Sequence, residues 1–234
     1  MLALLPGLAW AGRPLETEDP GTLEAGGSEL EVSLDYAQDE VGRVTGLKGV
    51  LGFGLLSNLE VRFESALLHA NPIDASRHTG LGDSLFGYKH RLLDEQEAFP
   101  ALLFAFNLRL PTGNRDRGLG DDGVDAGLFA VAGKTLGPLT LTWNGGYTFV
   151  SRDRTLDFWT LAGSLEYRLS DTFSLLGESV STLGANEVPT TVVLRVGALY
   201  ALSKRVNLDG SIAFGVTSAS PDVLATVGTT IVLF

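Results

Sequence analysis

The sequence has no cysteine and few basic residues. Without cysteine there can be no disulfide framework, no thiolate metal site and no cysteine nucleophile. Its 17 Lys and Arg stand against 28 Asp and Glu, which gives a formal net charge of −11. Because proteins bind nucleic acid through basic groups that neutralise phosphates, this charge argues against a nucleic-acid partner.

Long apolar runs are also missing, although 44% of the residues are hydrophobic. A membrane-spanning helix needs about 18 or more apolar residues in a row, and no such run occurs. The apolar fraction is nevertheless too high for a disordered chain. The hydrophobic residues must therefore follow some other regular pattern.

That pattern is a strict alternation of apolar and polar residues along many short segments. In residues 28–36, Leu30, Val32 and Leu34 fall on one side, whereas Glu29 and Glu31 fall on the other. A period of two is typical of a β-strand with one apolar and one polar face. Twelve such segments are predicted, at residues 28–38, 42–54, 58–69, 80–93, 98–110, 123–135, 138–150, 155–169, 172–182, 190–202, 205–216 and 222–234.

The connections between these segments are of two kinds. Long polar connections such as 70–79 and 111–122 alternate with short ones such as 56–57, 137–138 and 170–171. Transmembrane β-barrels show this alternation, with long outer loops and short periplasmic turns. We therefore predict an all-β fold, a transmembrane antiparallel up-and-down β-barrel of about 12 strands. It would lie in the outer membrane of a Gram-negative-type bacterium, with both termini on the periplasmic side.

The beginning of the chain differs from the rest. Residues 1–11 (MLALLPGLAWA) are apolar and end in the A-x-A cleavage pattern of a secretion signal, without its positively charged start. We interpret them as the remnant of a signal peptide, and the alternative is an ordinary apolar strand or helix. Residues 12–27 are predicted to form an N-terminal periplasmic arm, and residues 28–234 the barrel. Whether this arm plugs the pore is left open.

Charged residues of both signs fall on the polar face of the segments. In a soluble sandwich they would face water, whereas in a membrane barrel they would face the lumen and could pair across it. Residues 60–64 are expected to face residues 83–91 on the next strand. Such charges either plug the barrel with salt bridges or line a solute path, as rings of charge do in pores. The candidates for lining the lumen and setting its selectivity are Lys48, Glu60, Arg62, Glu64, Asp83, Lys89, Arg91, Arg109, Glu166, Arg168, Glu178, Arg195 and Asp209.

Aromatic residues occur near the segment ends, as in the girdles that flank the apolar band of outer-membrane barrels. The last segment alternates up to the terminal Phe234, and this ending resembles the signal read by barrel-insertion machinery. The expected partners are outer-membrane lipid and lipopolysaccharide, the insertion machinery and a small-molecule solute. The aromatic residues in question are Tyr36, Tyr88, Trp143, Tyr147, Phe149, Trp159, Tyr167 and Tyr200.

Several short motifs, spread over most of the chain, resemble those of one family. They are residues 13–19 (RPLETED), 80–83 (GLGD), 88–93 (YKHRLL), 110–113 (LPTG) and 118–120 (GLG). Similar motifs occur in the outer-membrane family labelled "putative meta-pathway of phenol degradation", although His90 stands where that family has a tyrosine. The resemblance implies an outer-membrane barrel described as a transporter or channel. It implies no catalytic residue.

Catalytic and metal sites have weaker support. The histidines His69, His78 and His90 lie near serines in sequence, but a hydrolase needs its serine, histidine and acid within mutual reach. The acidic loop 116–125 could hold a divalent cation, yet it lacks the twelve-residue calcium-loop spacing, which favours a solvated loop. We therefore predict no catalytic residue, no metal and no cofactor.

The function predicted from the sequence is a channel or transporter for small solutes, with hydrophobic or aromatic compounds as candidates. The first alternative is a structural or surface barrel whose lumen is plugged. The second is an outer-membrane enzyme that modifies lipid.

Overall fold

The computed structural model describes residues 13–186 and 188–234. The predicted remnant of the signal peptide lies outside the described residues. No helix in the described chain has the length and apolar character needed to cross a membrane. The described strands are β1 (Ser28–Asp39), β2 (Gly42–Leu56), β3 (Leu59–Pro72), β4 (His78–Leu81), β5 (Ser84–Leu93), β6 (Ala101–Leu110), β7 (Asp125–Leu136), β8 (Leu139–Phe149), β9 (Phe158–Arg168), β10 (Phe173–Gly184), β11 (Thr191–Ala201), β12 (Val206–Gly215) and β13 (Val223–Val232). Two three-residue 3-10 helices occupy Arg115–Arg117 and Arg154–Leu156.

These strands form one closed antiparallel sheet. Strands that follow one another in the sequence are hydrogen-bonded to each other, except β4 and β5, and β13 pairs with β1, where Val232 lies opposite Glu29. Both β4 and β5 pair with β3, at residues 67–70 and 59–64 respectively. The two short strands therefore share one position in the wall, which leaves twelve positions around the barrel. The prediction of a twelve-stranded antiparallel barrel is confirmed.

The fourth predicted segment, 80–93, is the one that the structure modifies. Its strand starts earlier, at His78, and is interrupted at Gly82 and Asp83. At this interruption the Gly82 N–H still donates to the Ala66 carbonyl on β3 at 2.9 Å, so the wall stays hydrogen-bonded. Alternation could not reveal the break, because its cause is a contact with a distant loop that is described below.

Apolar side chains cover the outer face of the barrel. Leu194 and Val196 on β11 are 50% and 62% exposed, whereas their neighbours Val193 and Arg195 are buried. The same outward exposure is shared by large side chains on other strands, including Leu34, Leu51, Phe63, Leu165, Leu175 and Phe214. A sheet that exposes leucine and buries arginine is suited to lipid outside and a polar interior. This arrangement explains a hydrophobic sequence without long hydrophobic runs.

Aromatic rings cluster where β8 ends and β9 begins. The Tyr147 ring centroid lies 4.8 Å from that of Phe149 and 4.7 Å from that of Trp159, both edge to face. The Arg154 guanidinium lies 4.9 Å from the centre of the Phe149 ring. Three of the predicted girdle residues thus sit together at one end of the strands, where the membrane interface is expected.

Asp157 anchors the loop between β8 and β9. Its buried carboxylate accepts hydrogen bonds from the Val150 N–H at 2.7 Å and from the Tyr147 hydroxyl at 3.0 Å. The Arg154 guanidinium donates a third at 2.8 Å. Burial acts to raise the pKa of Asp157, but these hydrogen bonds outweigh it and hold the pKa below its usual value of 3.8.

We expect this loop to lose stabilisation in acid. Because the folded-state pKa of Asp157 is depressed, its contribution is present above about pH 3.8 and is lost as the pH falls through the folded-state value. Denaturant unfolding in detergent, measured at falling pH, should show a smaller acid-induced loss of stability in Asp157→Asn. The exposed turn variant Asp171→Asn should behave like the native protein. An unchanged acid dependence in Asp157→Asn would contradict the prediction.

The outer face should reject charge at mid-membrane depth. Val196 lies near the middle of β11 and is exposed on the outside. We expect Val196→Arg to lower the free energy of unfolding in phospholipid bilayers by about 2–4 kcal/mol, because arginine must be taken into hydrocarbon. Val196→Ala serves as the control and should cost clearly less. Equal losses in the two variants would mean that this face does not contact lipid.

Candidate functional site

The N-terminal arm, residues 13–27, lies inside the barrel. It begins at Arg13, whose guanidinium donates to the Asp209 carboxylate on β12 at 2.8 Å and to the Thr226 hydroxyl on β13 at 3.0 Å. The Arg13 and Asp209 side chains are only 6% and 1% exposed. The start of the arm is therefore fixed to the inner wall by a buried ion pair.

The next part of the arm is held by Glu178 on β10. One oxygen of its carboxylate accepts from the Glu16 N–H at 2.7 Å and from both the N–H and the hydroxyl of Thr17. The other oxygen accepts from the Arg195 guanidinium on β11 at 2.8 Å, and Arg195 also pairs with the Glu16 carboxylate. Glu178 thus satisfies a wall arginine and the arm backbone at the same time.

At Glu18 the arm reaches the opposite side of the inner wall. The Glu18 backbone exchanges two hydrogen bonds with the Asn144 side-chain amide on β8, at 2.7 and 2.8 Å. Its carboxylate accepts from the Lys89 ammonium on β5 at 2.7 Å, and both side chains are 3% exposed. The second carboxylate oxygen, Oε2, is buried without a hydrogen-bond partner in the described structure.

The arm then leaves the lumen along β2 and β3. The Leu23 N–H donates to Glu60 on β3 at 2.8 Å, and the Gly26 N–H donates to the Gly54 carbonyl on β2 at 2.8 Å. A Cβ atom at Gly54 would overlap the Glu24 carbonyl oxygen, so the close approach of the arm requires glycine there. The arm consequently contacts the wall on several sides of the lumen.

Beside this exit, Arg62 on β3 gathers three carboxylates. Its guanidinium lies 3.0 Å from Glu29 and 3.4 Å from Glu31 on β1, and it also pairs with Glu60 on its own strand. All four residues belong to the inner face, and Arg62, Glu31 and Glu60 are buried. The cluster ties β1 to β3 across β2.

The expected ladder between residues 60–64 and 83–91 is wrong in most of its pairs. Glu60 does lie opposite Lys89, but the Lys89 ammonium binds the arm instead. Arg91 lies at the end of the barrel that carries the short turns, which is the periplasmic end in outer-membrane barrels. There it pairs with the exposed Asp94 at 2.9 Å, and Asp83 lies at the other end of the strand. From the sequence, specific ion pairs could be assigned only between adjacent strands. In the structure, a charged side chain in the lumen can also pair with the arm or with a more distant strand.

The outer end of the lumen is organised by Asp83, at the break between β4 and β5. Its carboxylate accepts from the Gly113 N–H at 3.0 Å and the Asp121 N–H at 2.9 Å, and pairs with Arg109 on β6. Arg109 also pairs with Asp125 on β7. The GLGD and LPTG motifs therefore meet in space, and they hold the loop 111–124 onto the barrel.

Glycines allow this loop to approach closely. The Leu119 side chain is 1% exposed, and a Cβ at Gly80 would lie 3.0 Å from it. Gly113 and Gly120 meet each other, since a Cβ on either would come within 2.8 Å of the other's Cα. Gly80, Gly113 and Gly120 thus have a steric reason.

The remaining predicted residues occupy more open parts of the inner face. Lys48 on β2 lies 3.9 Å from Asp35 on β1, and Glu64 on β3 is half-buried. Glu166 is half-buried near the periplasmic end of β9, whereas Arg168, at the end of that strand, is exposed. These four contribute charge near the lumen without joining the buried clusters.

A cavity of about 340 Å³ remains between the arm and the wall near the periplasmic end of β7 to β11. The arm forms one side of it and inward-facing wall residues form the other. It is lined by Arg13, Leu15, Thr17, Asp19, Pro20, Gly21, Glu95, Gly133, Thr135, Thr140, Thr142, Ser164, Glu166, Leu176 and Leu199.

His69, His90 and the acidic loop were considered above as parts of a catalytic or metal site, but they contact other groups. The His69 ring lies 2.7 Å from the Thr79 hydroxyl, and the His90 ring contacts Asn58 and Tyr88. Within residues 13–186 and 188–234, no group of three or more His, Asp and Glu is arranged to hold a metal ion. In the acidic loop, Asp121 and Asp122 pair with arginines, namely Arg152 and Arg115.

The sequence did not predict the contacts between the arm and the inner wall, including the contact with Asn144 on β8. Arg13, Glu16 and Glu18 each pair with a buried wall charge, and Asn144 binds the arm backbone. The available signal was the excess of acids over bases on the inner face together with an asparagine among its threonines. Neither feature identifies the partner, because the contacts join residues that are 71 to 196 positions apart in the sequence.

Glu178→Gln should loosen the arm. Because the chain has no cysteine, a single Leu15→Cys can be labelled alone with a polar maleimide. Hydrogen bonds to a charged group contribute about 1.5–3 kcal/mol, so we expect labelling to be about tenfold faster or more in Glu178→Gln. Asp171→Asn on an exposed turn is the control and should leave the rate unchanged. Equal rates in all three backgrounds would show that Glu178 does not hold the arm.

The fold is similar to outer-membrane channels of known structure. The COG4313 outer membrane channel from Pseudomonas putida F1 matches with a TM-score of 0.73 and 19% identity, over 92% of this chain and 98% of that one. The NanC porin gives 0.64 and 11%, over 87% and 100%. The CymD monoaromatic hydrocarbon channel gives 0.53 and 10%, over 90% and 89%. At these identities the likeness establishes the fold.

Sequence comparison points the same way. No curated protein matches the chain significantly, but a family profile matches residues 11–233, nearly the whole sequence. The resemblance seen in the motifs is thereby confirmed. The chain belongs to the family described as "Putative MetA-pathway of phenol degradation".

Proposed function

We infer that the protein is a passive outer-membrane channel for small solutes. The observation that carries this function is the cavity of about 340 Å³ between the arm and a wall of threonine, serine and carboxylate side chains. Twelve strands enclose more space than the eight whose interior is filled by side chains alone. Solved structures with this fold are described as channels and porins, which supports the same function.

Within this function the arm narrows the lumen. It bonds to β12 through Arg13, to β10 through Thr17 and to β5 through Glu18. A solute must pass beside the arm or displace it. The charged clusters around Arg62 and Arg195 would then act as fixed walls, and the more open charges, Glu166 above all, would act on the solute.

Aromatic or hydrophobic compounds are the solute class that we propose to test first. The family description refers to phenol degradation, and one similar fold belongs to a monoaromatic hydrocarbon channel. The inner face also contains an apolar strip on β6 and β7, formed by Leu103, Ala105, Phe129 and Val131. Such a strip can contact a ring while the polar residues beside it remain hydrated.

A structural barrel with a plugged lumen is the second candidate, and the extent of the arm's contacts favours it. The enzyme alternative lacks a comparable observation. The Ser84 hydroxyl bonds to Ser65 and Thr112, and His69 bonds to Thr79. In the described residues no serine hydroxyl is bonded to a histidine, as a hydrolase would require.

We propose two partners, namely the lipids of the outer membrane and the machinery that inserts barrels into it. The apolar outer face and the aromatic cluster at Tyr147 suit outer-membrane lipid and lipopolysaccharide. The last strand and Phe234 are the proposed contact for barrel-insertion machinery. Phe234 is 87% exposed and follows β13, whose Thr226 and neighbours of the same parity face the interior.

Removing the arm should enlarge the channel. We expect a variant lacking residues 13–22 to show several-fold higher conductance in planar bilayers than the intact protein, because the lumen loses its largest obstruction. Swelling of liposomes in small neutral solutes should rise in parallel. The exposed-loop variant Glu97→Gln is the control. If neither the intact nor the shortened barrel passes ions or solutes, the channel function is wrong and the structural alternative stands.

A further inference from the structure

The wall of this cavity carries a continuous polar patch on two neighbouring strands, next to an apolar residue on a third. Thr142 on β8 lies directly opposite Ser164 on β9, and Thr140 lies opposite Glu166. Glu166 in turn lies opposite Leu176 on β10. Directly opposite residues have Cβ atoms about 5 Å apart, so these groups can contact one ligand together.

Two members of this patch, Thr142 and Glu166, have no partner among the described residues. Thr142 is only 6% exposed and faces the cavity, yet its hydroxyl makes no hydrogen bond to another described residue. Glu166 forms no ion pair with any residue of the described chain, in contrast to Glu60 and Glu178 elsewhere on the inner face. A buried hydroxyl and a carboxylate without partners are groups that a ligand can satisfy.

The other lining charges leave the cavity acidic. The Arg13 guanidinium is neutralised by Asp209, and Glu95 is balanced by Lys134 at 3.2 Å. Asp19, on the arm, is half exposed and lies 3.9 Å from Lys89. Arg13 is the only basic residue among the described residues that line the cavity. An anion entering it would meet Glu166 and Asp19 without a free cation to bind.

The rest of the lining is apolar. Leu176 and Leu199 project from the wall, and Leu15 and Pro20 face them from the arm. The volume of about 340 Å³ is at the lower end of pockets that bind small molecules. The cavity therefore combines the unpaired Glu166 carboxylate and free hydroxyls with an aliphatic surface.

We propose that this cavity binds small amphipathic organic cations, with Glu166 as the residue that determines specificity. The ammonium group lies on the Glu166 carboxylate and the Thr142 hydroxyl, and the apolar body lies on Leu176 and Leu199. In a conducting channel the same carboxylate makes permeation favour cations over anions, as charged groups do in pores. This second consequence rests on the proposed channel function, whereas binding does not.

Three probes of similar shape test the site: cyclohexylammonium, cyclohexanol and cyclohexanecarboxylate. Binding to the full-length protein in detergent is measured by calorimetry or saturation-transfer NMR. We expect the cation to bind most tightly and the carboxylate most weakly. Glu166→Gln should weaken binding of the cation by about tenfold and change cyclohexanol little, because only the charge-assisted contact is lost. The near-isosteric Thr142→Val should weaken binding of both the cation and the alcohol.

Glu97→Gln, which removes an exposed carboxylate outside the cavity, is the matched control and should change none of the three affinities. Equal affinities for cation and anion, or an unchanged affinity in Glu166→Gln, would overturn the proposal. Reversal potentials across a salt gradient supply the second readout, and cation preference should fall in Glu166→Gln. Current without cation preference would reject the specificity role alone. Absence of current with and without the arm would reject the channel function and leave the binding result to decide the site.

Discussion

The requirement that every backbone N–H and C=O be paired inside the membrane governs this structure. Hydrocarbon offers no hydrogen bonds, so a sheet that crosses it cannot keep an open edge. The pairing of β13 with β1 removes the edge and makes the sheet a barrel. Closure then gives every strand one face toward lipid and one toward the lumen. The alternation along the sequence and the exposure of residues such as Val196 both follow from that geometry.

Closure also encloses charged side chains in the lumen, and the arm supplies ion-pair partners for some of them. The lumen is narrow, and charged side chains in it are partly withdrawn from water, which is unfavourable unless they are paired. Arg62 is satisfied by wall carboxylates alone. Lys89 and Asp209 instead find their ion-pair partners on the arm, in Glu18 and Arg13. The arm is thus part of the electrostatic balance of the barrel as well as an obstacle in its lumen. Where that balance is incomplete, at Glu166, a charge is left for a solute.

Much of the fold could be predicted because strand signals are local. The predicted segment 42–54 corresponds to β2, and 172–182 corresponds to β10, with differences of only two residues at their ends. The motifs around Asp83 were recognised, but their purpose was not. Gly113 and Asp83 are 30 residues apart, and nothing in their immediate neighbours indicates that one binds the other. The candidate site followed the same rule: its inward-facing residues could be named, whereas most of their partners could not.

The sequence by itself therefore determined which side of each strand faces lipid and how many strand positions the barrel has. These properties depend on a period of two and on connection length, which are readable from neighbouring residues. Only the tertiary structure decided that Glu178 holds the arm, that Lys89 binds Glu18 and that Glu166 remains unpaired among the described residues. Those outcomes depend on which strands face one another across the lumen and on the path of the arm between them, and a one-dimensional pattern does not contain that information.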